Sequence, residues 1–390
     1  MSAGRAAPTL ARGRGLAGAV ERAWSGEPGS VPWTVALAPV AMLYAAGSAA
    51  ARRGAIRARR PASGVHVVAV GNLTVGGTGK TSLARWLALE AAATGGRGAV
   101  ILRGHGGDAP SDRTGVVPDA AGYPLRAAAD RYGDEAASHR AALPRSIAVL
   151  VDRDRLRAAR VARDGYAASV AVLDDGWEQR RLAWDSLWVA LDPRLPKGNG
   201  WALPAGPLRR PVRALAEADA IAFVLETAEE EVPEAALALA RRHAPRAAIV
   251  RFRRVLTGLA PPGERGDAPA ARGTAGGALV GAGTRAALLT AVGAPERAER
   301  FARAAGFDLV AHEAFPDHAR VGSTKLRAVL DRAAARGAAV ALLTEKDEHR
   351  WALPADAALP FRVLRTRLQP LDAVDALLTR FRAAAATGVS

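Results

Sequence analysis

Lys80 and Thr81 close a run of small residues, Gly71-Asn72-Leu73-Thr74-Val75-Gly76-Gly77-Thr78-Gly79, that leaves the apolar stretch 67–70. Small residues free backbone N–H groups to point at phosphate oxygens. The lysine can then reach β- and γ-phosphates, and the threonine hydroxyl can bind Mg²⁺. Thr74, Gly76, Gly77, Thr78, Gly79, Lys80 and Thr81 therefore read as a nucleotide-binding loop. The strict phosphate-loop pattern has a glycine where Thr74 stands, and Gly76, Gly77 and Gly79 supply the freedom instead. A second point of chemistry is Asp174-Asp175-Gly176, which ends the apolar run 170–173. In phosphate-loop proteins an aspartate at the end of a neighbouring strand holds Mg²⁺ beside the loop threonine. Thr81, Asp174 and Asp175 are thus the candidate metal ligands, and spacing does not choose between the two carboxylates. Transfer to a hydroxyl also needs a proton acceptor, a carboxylate or a His–Asp pair. Gly133-Asp134-Glu135 and Phe315-Pro316-Asp317-His318 both offer one.

Such groups need a rigid frame. Residues 66–70 predict a buried strand, 80–93 a helix and 98–102 another strand, with further short apolar runs at 146–151 and 169–173. Strands alternating with helical segments argue for a mostly parallel sheet with helices on both faces. This gives an α/β, P-loop NTPase-like domain over 61–256. A Gly-, Ala- and Pro-rich stretch, 257–277, reads as a linker. Strand candidates at 278–280, 340–343 and 361–365 then predict a second, smaller α/β domain over 278–390.

Residues 1–60 are different in kind. The first 30 are rich in Gly, Ala and Arg, which predicts poor order. No charge occurs from 31 to 51, and Arg52, Arg53, Arg57, Arg59 and Arg60 follow. About 20 apolar residues suffice to cross a bilayer, and the basic cluster would keep the rest of the chain on the cytoplasmic side. An N-terminal membrane-associated helix is the expectation.

Composition narrows the classes. Of the 390 residues 49% are hydrophobic and 24% charged, which suits a folded chain. The absence of cysteine excludes disulfides, thiolate nucleophiles and Cys-ligated zinc. A formal charge of +16 draws in anions: nucleic acid, an acidic membrane surface or a phosphorylated substrate. No aromatic-studded basic module supports nucleic acid, and no obligate protein partner is evident.

In series, these segments resemble the lipid A 4′-kinases (tetraacyldisaccharide 4′-kinases). The match runs through Gly71–Thr81, a loop whose first glycine that family also lacks, then Arg103-Gly104-His105-Gly106-Gly107, Gly133-Asp134-Glu135 and Asp174-Asp175-Gly176. It continues through Gly198-Asn199-Gly200, Leu203-Pro204-Ala205-Gly206-Pro207-Leu208-Arg209, Phe315-Pro316-Asp317-His318 and Thr344-Glu345-Lys346-Asp347. The resemblance implies phosphoryl transfer from ATP, with Mg²⁺, to the 4′-hydroxyl of an acylated disaccharide 1-phosphate at the cytoplasmic face of the inner membrane. By analogy Asp134 is the catalytic base, with His318 tuning or orienting it, and Lys80 and Thr81 bind phosphate and metal. Asp174 or Asp175 completes the metal site, while Glu135, Arg103 and Arg155 fall near nucleotide or substrate phosphates. An anionic, acylated substrate accounts for a basic surface and a membrane anchor together.

Three positions depart from the family pattern. Trp177-Glu178-Gln179 stands for Phe/Leu-Gln-His, Arg210 for a glutamate, and Ala319 for a histidine. They make a kinase with an altered lipid acceptor one alternative. A switch ATPase is another, but such proteins carry a lysine directly before the paired glycines, where this chain has Val75. A GTPase would read guanine with an Asn/Thr-Lys-x-Asp segment, to which Thr344-Glu345-Lys346-Asp347 comes close.

Overall fold

The computed structural model describes residues 20, 23–24, 31–109, 112–119, 124–179, 181–264, 283–317 and 319–387. They form two compact units: the larger takes 20–225, 229–253 and 368–387, the smaller 226–228 and 254–367. The expected strand at 278–280 lies outside the described residues. Residues 257–260 of the expected linker belong instead to a strand, Ala248–Ala260.

In the larger unit, α1 (Val31–Ala58) precedes β1 (His66–Asn72), α2 (Lys80–Ala93), β2 (Gly98–Leu102) and β3 (Gly115–Val116). There follow α3 (Leu125–Tyr132), α4 (Asp134–Ala142), β4 (Ile147–Val151), α5 (Arg155–Tyr166), β5 (Val170–Leu173) and β6 (Ser186–Leu191). The unit continues through β7 (Ala220–Leu225), α6 (Glu234–His243) and the first residues of β8 (Ala248–Ala260). The strands lie in the order β8-β7-β6-β1-β5-β2-β4-β3, parallel except for β3 on β4. Both faces are covered, which is why β1 reads as an unbroken apolar run rather than an alternating one. Val68 and Val70 join one core cluster, with Leu83, Leu87 and Val100, while Val67 and Ala69 join another, with Ile101, Leu150 and Leu173. Trp86 packs edge-on to Phe252 at 4.8 Å and tilts against Trp188 at 5.8 Å.

The last helix, α9 (Asp375–Thr387), which the sequence placed with the second domain, adds Leu378, Phe381 and Ala385 to this core. Arg382 is paired with Glu90 of α2 at 2.5 Å. Gly96 explains the closeness: a Cβ there would meet the Ala385 carbonyl at 2.1 Å.

Helix α1 is unlike the others. Residues 32–51 have mean hydropathy 1.5 and are 6% buried, and among the described residues this is the one helix long and apolar enough to cross a bilayer. Trp33, Val35, Val40, Met42 and Leu43 are all exposed. Residues on either side of it contact the unit: the Trp24 indole donates to the Pro204 carbonyl at 2.9 Å, and the Arg59 guanidinium lies 3.6 Å over the Trp184 ring.

The smaller unit holds β9 (Arg285–Thr290), α7 (Pro295–Ala304), β10 (Asp308–Ala314), α8 (Ser323–Ala335), β11 (Val340–Thr344) and all but the last residues of β12 (Phe361–Pro370). Its strands pair in parallel in the order β10-β9-β11-β12. Here too both sheet faces are buried, with Leu289 and Leu343 on one and Leu288 and Leu342 on the other.

Candidate active site

Register decides what meets at the sheet's carboxyl edge. Strand β1 pairs with β5 from His66↔Val170 to Ala69↔Leu173, so the turn after β5 opens beside the loop after β1. Strand β2 flanks β5 on its other side, Ile101↔Leu173, and β4 flanks β2, Leu102↔Val151. Ligands of open α/β sheets bind outside these carboxyl ends.

The loop after β1 is built for close approach. Gly79 caps α2 in the left-handed region, φ 91°, and a Cβ there would lie 2.8 Å from Val224 Cγ2. Gly76 has φ 122°. The segment 207–209 braces the loop as a short antiparallel rung: Val75 N–H donates to Pro207 O at 2.8 Å and Arg209 N–H to Leu73 O at 3.0 Å. Asn72 Nδ2 donates to Thr74 O at 2.5 Å, so Thr74 is fixed where the strict pattern has glycine. Lys80 and Thr81 open α2, whose N-terminus favours an anion. The Thr78 hydroxyl is buried without a partner.

Asp174, 2% exposed, faces this loop. Burial alone would raise its carboxyl, but His139, the Lys80 charge and the Thr81 hydroxyl hold it below the usual carboxylate range. Its Oδ2 lies 3.0 Å from His139 Nε2, while Oδ1 is buried with no partner. An ionised, orphaned oxygen beside a threonine hydroxyl fits Mg²⁺, which takes hard oxygens from one or two carboxylates and completes its shell with phosphate and water. No cluster of three or more His, Cys, Asp or Glu suited to a metal occurs among the described residues, and Mg²⁺ in such sites does not require one. Asp175 is occupied differently. Its backbone sits at φ 53°, and its carboxylate takes Arg209 Nη1 at 2.8 Å and Nη2 at 3.3 Å. Arg209 also donates to Asn72 Oδ1 at 3.2 Å, tying this turn to the loop.

Around these lies a ring of charge. Arg155, 4% exposed, opens α5 and donates to the Asp152 carbonyl. Burial pushes its guanidinium down to about 10, with the Asp175 and Asp174 carboxylates acting in the opposite sense. Its Nε is buried and unpaired. After β2 come Arg103 and His105; burial and the Arg103 charge lower the His105 imidazole, against the fields of Glu135 and Asp175. Arg103, His105, Glu135, Arg155 and the Asp174-Asp175 turn are therefore brought together. Asp134 begins α4 directly after Gly133, φ 93°, whose absent Cβ leaves room for the His105 carbonyl. His318 lies outside the described residues. Sequence reasoning missed His139 and Arg209; Arg209 stood within a quoted motif, whereas nothing in the spacing marks His139.

Two of the departures from the family pattern, at 177–178 and at 210, prove to be linked. Arg210, 2% exposed, donates to Glu178 at 2.6 Å, to Glu217 at 3.1 Å and to the Trp177 carbonyl at 2.6 Å, with its guanidinium 4.2 Å over the Trp177 ring. The cation at 210 and the carboxylate at 178 thus neutralise each other. Gln179 folds back on Leu182, whose N–H it accepts at 2.9 Å. Ala319 contributes its carbonyl to the Trp351 indole at 3.0 Å. In the smaller unit, Asp347 accepts from the Thr344 hydroxyl at 2.5 Å and from the Ala291 N–H at 3.1 Å. A fully buried carboxylate with both oxygens engaged inside the unit cannot read a guanine edge.

Comparison with known proteins bears on this site. Residues 33–383 match the family described as tetraacyldisaccharide-1-P 4'-kinase. The chain is similar to a tetraacyldisaccharide 4'-kinase of Anaeromyxobacter sp. (strain K), 38% identical over 93% of this chain and 94% of that one. It is also similar to that of Geobacter sulfurreducens, 33% identical over 78% of this chain and 80% of the relative. Among solved structures, LpxK from Aquifex aeolicus, crystallised in complex with ATP, superposes with TM-score 0.65 at 20% identity, covering 90% of this chain and 99% of that one. That likeness shows a shared fold.

Proposed function

The chain belongs to the tetraacyldisaccharide-1-P 4'-kinase family, and from that premise we propose how its residues carry out the reaction. The activity is ATP-dependent phosphorylation of the 4′-hydroxyl of a tetraacyldisaccharide 1-phosphate in lipid A synthesis. The observation that carries the residue assignment is the buried carboxylate of Asp174, with one oxygen on His139 and the other without a partner, in the field of Lys80 and Thr81.

The glycine loop and Lys80 cradle the ATP phosphates and align the γ-phosphoryl group for in-line attack. Phosphoryl transfer needs positioning and charge neutralisation more than covalent chemistry. Thr81 and Asp174 would hold Mg²⁺, which when bound would supply positive charge against the phosphates. Asp134 accepts the proton of the 4′-hydroxyl as its oxygen attacks phosphorus and the bond to the β-phosphate oxygen breaks. Arg103 and Arg155 supply fixed positive charge to the phosphates, and Glu135 sets the field around them. Asp175 serves through Arg209. The exposed apolar surface of α1 seats the larger unit at the inner membrane, with its site on the cytoplasmic side where the acylated acceptor is presented.

The test uses full-length protein in detergent with Mg²⁺, γ-labelled ATP and a tetraacyldisaccharide 1-phosphate. Wild type labels the lipid; Asp134→Ala labels it at least ~10²-fold more slowly, the scale of a lost general base. Equal rates would remove Asp134 from the chemistry.

A further inference from the structure

The larger unit buries one histidine for which this scheme has no use. His139 is 0% exposed, in the middle of α4, with Nε2 at 3.0 Å from Asp174 Oδ2. A carboxylate only accepts, so the Nε2 proton is the donor. The residue beside it is fixed as well: Arg85 of α2 donates to Ser138 Oγ at 2.7 Å and to the Ser138 carbonyl at 3.3 Å. His139 therefore sits on the helix that begins with Asp134-Glu135, at the point where Arg85 ties it to the helix that begins with Lys80-Thr81.

We propose that His139 is a positioning residue: it occupies one oxygen of Asp174 so that only the other, Oδ1, is presented to the metal. An unrestrained aspartate turns about its last side-chain bond and can offer either oxygen or both. Mg²⁺ demands near-ideal octahedral geometry, so one defined oxygen at a defined angle matters. Outer partners that orient a ligating carboxylate typically contribute 10–100-fold to metal affinity or activity. Nδ1 of the same ring is buried without a partner, so the imidazole is held in place by this one contact and by packing. The inference rests on Asp174 being a metal ligand, and the experiment separates the two claims.

ADP dissociation constants are measured by calorimetry on the full chain, in Mn²⁺ and in a chelator, for wild type, Asp174→Asn, His139→Leu and His139→Gln. The quantity read is the gain in ADP affinity that Mn²⁺ confers. His139→Leu should shrink that gain about 10-fold or more and leave the metal-free ADP constant unchanged, which a damaged fold would not do. His139→Gln, whose amide nitrogen reaches the same oxygen, should recover most of it. A full gain in His139→Leu, or no recovery in His139→Gln, overturns the positioning role. Should His139→Leu fail to fold, a His139→Gln gain as small as that of Asp174→Asn overturns it equally. Loss of the gain in Asp174→Asn with none in His139→Leu removes only the positioning role; retention in Asp174→Asn removes the metal assignment and the proposal with it.

Discussion

Asp174 and Asp347 occupy matching places in the two units. Each follows a buried parallel strand, β5 and β11, and each is almost inaccessible, at 2% and 0%. Their surroundings are opposite. Asp174 is held ionised by His139, Lys80 and Thr81 and keeps one oxygen unpartnered. Asp347 is pushed up to about 6 by burial, and both of its oxygens are taken within its own unit. Neither strand-end position nor burial marks a functional carboxylate. Unmet bonding capacity in a cationic field does.

The largest expected contrast is in activity. Asp174→Asn removes the charge and a metal oxygen, and should slow lipid phosphorylation by more than the 10–100-fold that an outer partner contributes. Asp347→Asn, an equal change in atoms, should leave the rate within about twofold, because both of its oxygens bond inside the smaller unit and none is left for a contact that strengthens in the transition state. Comparable losses in initial-rate assays would break the distinction between the two carboxylates.

The second contrast is in stability, and its sign follows from the raised value. A buried acid with a folded pKa of about 6, raised from the ordinary aspartate value of 3.8, favours folding in its neutral form. That contribution is complete below the unfolded value and is lost as pH rises through about 6. The neutral Asp347→Asn variant escapes this loss. Relative to wild type it should gain up to about 2 kcal/mol between pH 4 and pH 8, at 1.36 kcal/mol per pKa unit. Urea unfolding at the two pH values measures it; a constant difference would show that Asp347 stays ionised throughout.

Much of the frame was legible because it depends on local signals. The apolar run of β1, the glycine turn and the start of α2 at Lys80 follow from composition alone, as do β2 and β11. What was not legible depends on pairing across long separations. Helix α9 belongs to the larger unit because Leu378, Phe381 and Ala385 find a core formed some 300 residues earlier, and its own pattern names no partner. His139 became visible only when the β1–β5 register brought Asp174 to α4. The pair Asp175–Arg209 likewise needed the rung between 207–209 and the loop. Thr344-Glu345-Lys346-Asp347 shows the converse: a motif whose residue types suggested nucleotide reading turns out to be an internal clip.

The smallest effect sharpens the comparison within one turn, between Asp174 and its neighbour. Sequence left the two carboxylates equivalent, yet only Asp175 is held by a guanidinium in a two-point contact. Lysine cannot reproduce that fork, so Arg209→Lys should lower kcat/KM by a few-fold, the ~1 kcal/mol upper range of a partly exposed pair. If Asp175 acts only through Arg209, Asp175→Asn should cost about the same, and the double variant little more than either alone. That non-additivity is the signature of a shared contact in a double-mutant cycle. If instead Asp175 ligands the metal, Asp175→Asn should match Asp174→Asn in size and add fully to Arg209→Lys. The cycle thus decides whether the turn after β5 offers the metal one carboxylate or two, which burial and strand position leave open.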